Sequence, residues 1–575
     1  MNRWLLVFLL ALTGLRLFLG GRMELSPDET YYYQWSQRLD WAYYSKGPGV
    51  ALAIRAGTAL LGPTEMGVRL LSPFLALGTS WLICGLARRL YGQSVATWAV
   101  LMMNFTPIFN VGALLMTIDA LSIFFWAAAL WAFWMALERS PKFSAYWPLA
   151  GLFMGFGFLA KYTNAMELLS VVLVLGFTAQ YRREFARPGF WVMLGVFALA
   201  VIPPVVWNAN HDWITLEHLR SRGGLNTGPQ FHPEEVLAFL GLHFGVYSPL
   251  IFGGMLWALW RGCRAGWGDC RSRFLALFAL PLLVMYCVLS LKKSGEANWT
   301  APAFVSLGIL TVAFWHEFAQ RNVAARRFAV AALALGLVGS LVLVNTDTVR
   351  RLGVHWPYQF DPGGRLRGWE SVAIAVDDLR HKMEQETGKP LFLIANKYQT
   401  ASSLAFYLPE KRVDGPGHPP VYIPESQAIE NQYSFWGRYD EMTEPPTLAR
   451  AMLPKVTDSA KREALEAALK EIAEPGSLKP GDEKMSERRR ALIRAMLAVD
   501  PTLPMEEFAS EDWGISLFQG RDALFISDKS SHLPSAIQKG FEKTELLATW
   551  QEERRGLPLR LIWVFVCHNY RTIPL

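Results

Sequence analysis

ELSPDETYYYQWSQRLDWAYYSKGPG, residues 24–49, follows one apolar segment and precedes a long series of others. It is the densest local mixture of acids and aromatics in the chain. Asp28 and Glu29 stand side by side behind Pro27, and Tyr31, Tyr32, Tyr33, Trp35, Trp41, Tyr43 and Tyr44 follow. Two kinds of chemistry fit this pattern. Ser26, Pro27, Asp28 and Glu29 make a capping box, with Ser26 as N-cap, Pro27 at the first helical position and Glu29 reaching back. A pair of carboxylates at a membrane surface, walled by rings, can instead orient a hydroxyl group and take its proton.

The surroundings give weight to the second. With 575 residues, 52% hydrophobic, 13% aromatic and 23 Trp, the chain has the composition of a polytopic membrane protein, and its mean hydropathy of +0.19 agrees. Apolar runs of about 20 residues, enough to cross a bilayer, recur as far as Asn345 and then stop. The expected domains are therefore 1–345, with a first outer loop at 21–66, and 346–575. The first run, Trp4 to Leu19, reads as an uncleaved helix, because Gly20, Gly21 and Arg22 offer no small-x-small cleavage site. Further spans are expected at 67–87, 94–113, 118–137, 146–160, 163–180, 190–207, 236–259, 273–291, 298–317 and 328–345, about eleven in all.

The net charge of +7 does not point to nucleic acid, because the basic residues fall mainly in short loops between apolar runs. Arg88 and Arg89, Arg182, Arg183 and Arg187, Arg261 and Arg264, and Arg321, Arg326 and Arg327 lie on one side. Positive loops stay cytoplasmic, so the N-terminus is expected inside and the C-terminal domain outside, on the face that carries Asp28 and Glu29. Cys84, Cys263, Cys270, Cys287 and Cys567 are the five cysteines. The last stands alone in the C-terminal domain, which can form no internal disulfide, and Cys263 and Cys270 lack companions at zinc spacing.

The remaining polar residues collect on the outer face. Asp119 begins a span in MTIDAL; Lys161 and Tyr162 join two spans in FLAKYTNA; His211, Asp212, His218, Arg220, Arg222 and His232 share a longer loop; Lys292, Lys293 and Glu296 lie in LKKSGEANWTAP. Asp119 can simply complement a helix N-terminus and Lys161 can snorkel. Ionisable residues at membrane depth are nevertheless costly and mark functional sites by default. Asn298, Trp299 and Thr300 form a glycosylation sequon short enough to arise by chance.

Residues 346–575 change character. A helical pattern at 369–384 leads to PLFLIAN (390–396) and a helix at 399–407; DALFIS (522–527) and RLIWVFV (560–566) read as strands. This is a small α/β domain. The charged stretch 455–498 reads as a solvated helical insertion. The domain shows no nucleophile elbow, phosphate loop or metal motif, and its chemistry is expected not to be catalytic.

SPDETYYYQWSQRLDWAYYSKGP, then TID before a span, FLAKYT and KKSGEANWTAPAF resemble the bacterial polyprenyl-phosphate-dependent membrane glycosyltransferases of the GT-C superfamily. These are relatives of the protein O-mannosyltransferases and the lipid A aminoarabinose transferase, glycosyltransferase families 39 and 83. The resemblance covers residues 1–345 at motif level and the rest more loosely. It implies a multi-pass protein of the bacterial cytoplasmic membrane, with helices at the membrane surface in the first outer loop and a catalytic acid there. That acid is Asp28, with Glu29 beside it, and Asp119 matches an Asp at the start of a later span in many relatives. The sequence departs from them at Ile118, where relatives often carry Pro, and in the 455–498 insertion.

The function implied is inverting transfer of a sugar from a polyprenyl-phosphate donor, with membrane lipids around it, to a hydroxyl of a lipid, glycan or protein. Asp28 is the expected base, positioned by Glu29 or Asp119. Lys161, Lys292, Lys293 or a loop arginine would hold the donor phosphate. Tyr31, Tyr32, Tyr44, Lys46, Tyr162, Glu296, Asn298 and Trp299 would line the substrate pocket. No cofactor is required, but a divalent metal shared by Asp28, Glu29 and an outer histidine stays open. The alternative is a lipid or sugar transporter or flippase, which inverted hydropathy repeats would favour; none is found.

Overall fold

The computed structural model describes residues 2–226, 228, 231–264, 269–415, 417–426, 428–443, 445–473, 483–501, 503 and 515–571. The chain divides into two compact units, Met1–Arg367 and Gly368–Leu575.

The first unit begins with α1 (Arg3–Gly20). Three shorter helices follow it, α2 (Pro27–Ser36), α3 (Gly49–Leu61) and α4 (Glu65–Arg69), so the segment 21–66 expected as the first outer loop is largely helical. Then come α5 (Leu71–Tyr91), α6 (Gln93–Phe105), α7 (Pro107–Gly112), α8 (Ile118–Glu138), α9 (Tyr146–Ala160), α10 (Met166–Phe177) and α11 (Pro188–Ala209). The unit continues with α12 (Ile214–Arg222), α13 (Pro233–Tyr247), α14 (Pro249–Arg264), α15 (Cys270–Leu289), α16 (Ala303–Arg321), α17 (Val323–Val344) and α18 (Asp347–Arg351).

Among the described residues, six helices are long and apolar enough to cross a membrane, or up to eight if each of two bent pairs is one span. The chain is a multi-pass membrane protein, and several of the about eleven expected spans contain a break. The run at 236–259 is two helices, α13 and α14, that turn through 117° at Ser248, whose φ is 73°, just before Pro249. The run at 163–180 holds α10, which with the preceding turn bends by 119° against Ala179–Ala186. The run at 94–113 breaks between α6 and α7, where Pro107 occupies the first helical position. Hydropathy averages over such breaks, and Pro107 and Pro249, which lack a backbone donor, are the local signals at two of them.

Burial sorts the helices by role. Only 17% of the apolar window of α17 and 22% of that of α11 is buried, against 72% of α8. A helix apolar all round and buried is a central pillar, and Trp126, Leu130 and Phe133 of α8 are fully buried. Asp119 thus sits at the end of the most enclosed helix.

The first unit runs past the expected boundary near 346. Behind α17, Arg350 pairs with Asp361 at 2.8 Å and with Asp347 at 3.2 Å, Arg367 reaches Asp347 at 3.3 Å, and the Tyr358 hydroxyl donates to Asp347 at 2.8 Å. These charges are nearly all buried, and separating them would leave them unpaired. They tie residues 347–367 to one another, and the compact unit Met1–Arg367 includes them.

The second unit contains α19 (Trp369–Thr387), β1 (Phe392–Ala395) and α20 (Tyr398–Tyr407), as expected. A short ladder of β2 (Met442–Thr443) and β3 (Ile515–Ser516) brackets α21 (Pro445–Met452), α22 (Ser459–Ala473) and α23 (Glu483–Val499). Then come β4 (Ala523–Ser527), α24 (Ser535–Gly540), β5 (Phe541–Arg554) and β6 (Leu557–Tyr570). The main sheet has the order β1-β4-β6-β5, with β1 and β4 parallel and the other pairs antiparallel. The insertion is not simply solvated. Residues 474–482 lie outside the described set, as does the Cys263 side chain, but Leu465 and Leu469 of α22 and Leu492 and Met496 of α23 join the apolar core of this unit.

Candidate active site

The capping box forms, and it is the frame of the site. Ser26 Oγ accepts from the Glu29 N–H at 3.3 Å while the Ser26 N–H donates to Glu29 Oε2 at 2.9 Å. Glu29 has no exposed surface. Arg69, at the end of α4, clamps it in a fork, with Nε on Oε1 and Nη2 on Oε2, both at 2.7 Å. The remaining Arg69 donors go to the carbonyls of Gly20, Met23 and Glu24. Glu29 Oε1 also accepts from the Met116 N–H at 2.9 Å. One buried pair therefore fastens the end of α1, the start of α2, α4 and the segment that enters α8. Burial alone would raise the Glu29 carboxyl, but the Arg69 charge and the hydrogen bonds outweigh it and hold it below its usual range. Glu29 is a permanent anion with no lone pair left for chemistry.

Asp28, one residue earlier, is the opposite case. It makes no hydrogen bond among the described residues. It keeps a solvent-open face in a recess that protein surrounds on its other sides. Lost solvation raises its carboxyl above the ordinary value; the Arg365 charge opposes this most, Asp119 and Glu29 add to it, and Arg222 opposes it too. An accessible carboxylate with spare lone pairs and raised basicity is what proton abstraction requires.

Asp119 is also engaged. Its Oδ1 is 2.8 Å from Lys161 Nζ and its Oδ2 accepts from Asn298 Nδ2 at 2.7 Å. Thr117 caps the helix by accepting from the Asp119 N–H at 3.3 Å. The carboxylate thus joins the starts and ends of three elements: α8, α9 and the single turn Ala297–Thr300. Lys161 is thereby paired with a carboxylate.

Lys46 is the next cation. The loop SKGPG lies so close on the end of α9 that a Cβ at Gly47 would stand 2.2 Å from the Leu159 carbonyl oxygen and one at Gly49 3.0 Å from Ala160 Cα. Glycine permits this approach, and it sets Lys46 beside Lys161. Lys46 has no ion-pair partner among the described residues. Its ammonium is lowered to about 8, chiefly by lost solvation and then by Lys161 and Arg222, while Asp119 and Asp28 oppose the fall. Arg222 comes from α12, which the loop after α2 holds through Thr215 on the Tyr43 carbonyl at 3.3 Å, while Trp207 Nε1 of the preceding α11 donates to Asp40 at 2.8 Å. The Arg222 guanidinium lies 5.3 Å over the Trp299 ring.

Other expected residues take different places. Tyr31 and Tyr32 are buried, each with its ring 5.0 Å from that of Trp35, and support α2 from within rather than lining an open pocket. Tyr44 lies against His218, with ring centroids 4.7 Å apart, and Tyr162 has a buried hydroxyl. Glu296 and Lys293 are exposed, and Lys292 Nζ donates to the Gly224 carbonyl at 3.3 Å. Neither lysine is among the leading charges on Asp28 or Lys46. Among the described residues no three His, Cys, Asp or Glu gather as metal ligands. His211 stacks on Trp207, and burial, with Lys46 and Arg222, lowers His218 to about 4. With Glu29 locked in the Arg69 fork, the donor set imagined for a metal does not fit.

Arg69 and Arg365 were not legible as site residues. Arg69 falls inside the expected span 67–87 and reads as its basic edge. Arg365 lies past the expected domain boundary, and only the turn Pro362–Leu366 brings its charge to bear on Asp28.

Residues 45–207 match the family model described as dolichyl-phosphate-mannose-protein mannosyltransferase. The lipid A galacturonosyltransferase RgtD of Rhizobium johnstonii is 30% identical over 291 residues, which are 50% of this chain and 59% of that protein. Among solved structures, ArnT from Cupriavidus metallidurans in the apo state superposes with a TM-score of 0.54 at 16% identity, over 97% of each chain. The same protein bound to undecaprenyl phosphate gives 0.51 at 17% identity, again over 97% of each. In sequence over residues 45–207 and in fold over nearly its whole length, the chain therefore resembles the GT-C membrane glycosyltransferases that use polyprenyl-phosphate donors.

Proposed function

We propose that the protein is an inverting glycosyltransferase that moves a sugar from a polyprenyl-phosphate donor to a hydroxyl acceptor at the outer face of the bacterial cytoplasmic membrane. One observation carries this reading: of the three carboxylates Asp28, Glu29 and Asp119, the last two are bonded on both oxygens, and the Asp28 carboxyl is unbonded among the described residues and open. The acceptor oxygen attacks the anomeric carbon as its proton passes to Asp28, and the bond from that carbon to the phosphate oxygen breaks. The departing polyprenyl phosphate gathers negative charge, which Lys46 and Arg222 offset. Glu29 and Asp119 position these groups and exchange no proton. A single in-line displacement inverts the anomeric centre.

The name of the RgtD relative makes a galacturonosyl donor and a lipid A acceptor the first pair to try. NMR of the product reads its anomeric configuration. Inversion is expected, and retention would contradict the single displacement.

This reading implies a pH profile for the reaction. Asp28 must be ionised, so kcat/KM rises with pH through a limb above the ordinary carboxylate range. Lys46 must be charged, so kcat/KM falls again as pH passes about 8. Lys46→Arg removes the group that titrates there, and the alkaline limb is expected to move upward. An alkaline limb unchanged in that variant would take Lys46 out of phosphate binding.

A further inference from the structure

Asn298, which holds Asp119 Oδ2, stands in Ala297–Thr300, a single 3-10 turn whose first residue has no side-chain cap. Such short turns have few good hydrogen bonds of their own. Here the backbone bond from Ala301 N–H to the Asn298 carbonyl is long, at 3.3 Å. Besides the Asn298–Asp119 bond, the turn has an equally short tie to another helix. His243 of α13 places Nε2 2.7 Å from Thr300 Oγ1, and its Nδ1 lies 2.7 Å from the Phe239 carbonyl. His243 is 2% exposed and Thr300 not at all.

A carbonyl oxygen only accepts, so Nδ1 carries a proton. In the neutral ring Nε2 is then a lone pair facing the Thr300 hydroxyl, which donates to it. That hydroxyl also lies 3.0 Å from the Ala297 carbonyl, but its one proton follows the shorter contact. The imidazole cannot swing away. It is stacked parallel to Tyr247 at 5.6 Å and packed against Phe239 at 4.4 Å and Phe304 at 5.8 Å.

We propose that His243 is a positioning residue for transfer: through Thr300 it fixes the turn that aims Asn298 at Asp119, and so holds the Asp119–Lys161 pair beside Lys46. The chain of contacts runs from α13 to α9 without a gap, in bonds of 2.7 Å, 2.7 Å and 2.8 Å on either side of the turn. His243 touches neither donor nor acceptor. This inference rests on the glycosyltransferase reading. A small displacement of a positioned group costs rate more than binding, about tenfold to a hundredfold for shifts near 1 Å.

The test uses full-length protein in membranes, with the rate of donor consumption measured for wild type first. An inactive wild type would overturn the transferase reading, and with it the relay's role in transfer. With an active wild type, His243→Leu is expected to lower kcat about tenfold to a hundredfold and to leave the donor KM within about twofold. His243→Gln, whose amide can still meet Thr300, recovers most of the loss. In an Asn298→Ala background, His243→Leu should lower kcat no further, because His243 acts on Asp119 only through the turn and Asn298. The relay is overturned if His243→Leu keeps wild-type kcat, if Gln rescues nothing, or if the two losses multiply. Melting temperature in detergent verifies folding; should His243→Leu misfold, Thr300→Val with Thr300→Ser as its rescue makes the same comparison from the other end of the bond.

Discussion

Arg69→Ala is expected to destabilise the protein by about 3–5 kcal/mol, the usual result of removing one partner of a buried ion pair, and to abolish transfer. The substitution leaves Glu29 charged, enclosed and without its fork, and it orphans the carbonyls of Gly20, Met23 and Glu24 that Arg69 now satisfies. It also leaves the Met116 N–H tying the Asp119 end of α8 to a Glu29 carboxylate that Arg69 no longer orients. Arg69→Lys should recover little, since an ammonium offers a point charge where the structure uses a planar fork. Thermal melting in detergent, read beside donor consumption, checks both effects. A variant that melts with wild type and transfers normally would mean that the Arg69–Glu29 pair organises nothing.

Asp28→Asn should behave in the reverse way. The carboxamide matches the carboxylate in shape but cannot take a proton, and transfer is expected to fall by about a hundredfold to ten-thousandfold, the range for a lost general base. Stability should hold or rise slightly, because Asp28 contributes no hydrogen bond among the described residues and its charge is poorly solvated. Glu29→Gln, one residue away, should cost stability first by leaving Arg69 half-paired. Two adjacent acids with opposite mutational signatures would separate the frame from the chemistry.

That contrast also shows what the sequence could reveal. SPDE carries both a capping signature and a pair of acids, and the structure uses both: Ser26 and Glu29 cap, while Asp28 remains open. The pairing of Asp119 with Lys161 was suggested only by their common face, and its third member, Asn298, was expected as pocket lining. Arg69 was hidden because one basic residue at the start of an apolar run looks like an ordinary span edge. The bend at Ser248 was hidden for a related reason, since hydropathy is blind to a single residue with positive φ.

In the second unit, β1, α20, β4 and β6 followed from apolar runs bounded by turns. β5 did not, because FEKTELLATWQEER is exposed along nearly its whole length and carries no alternation of buried and open positions. Its strand state comes from pairing with β6, with register shifts at Leu546/Ala548 and Glu552/Glu553. The insertion 455–498 looked solvated because charges outnumber its few core leucines. Those leucines are spaced to meet the core, and a charge-weighted pattern understates them.

The most direct test of the central claim is transfer of radiolabelled sugar from polyprenyl-phosphate donors in membranes that hold equal amounts of wild type and Asp28→Asn. Donor consumption and a labelled product with wild type alone is the predicted result. Equal consumption by the two would remove Asp28 as the base, and no consumption by folded wild type across a full panel of donors and acceptors would contradict the glycosyltransferase itself.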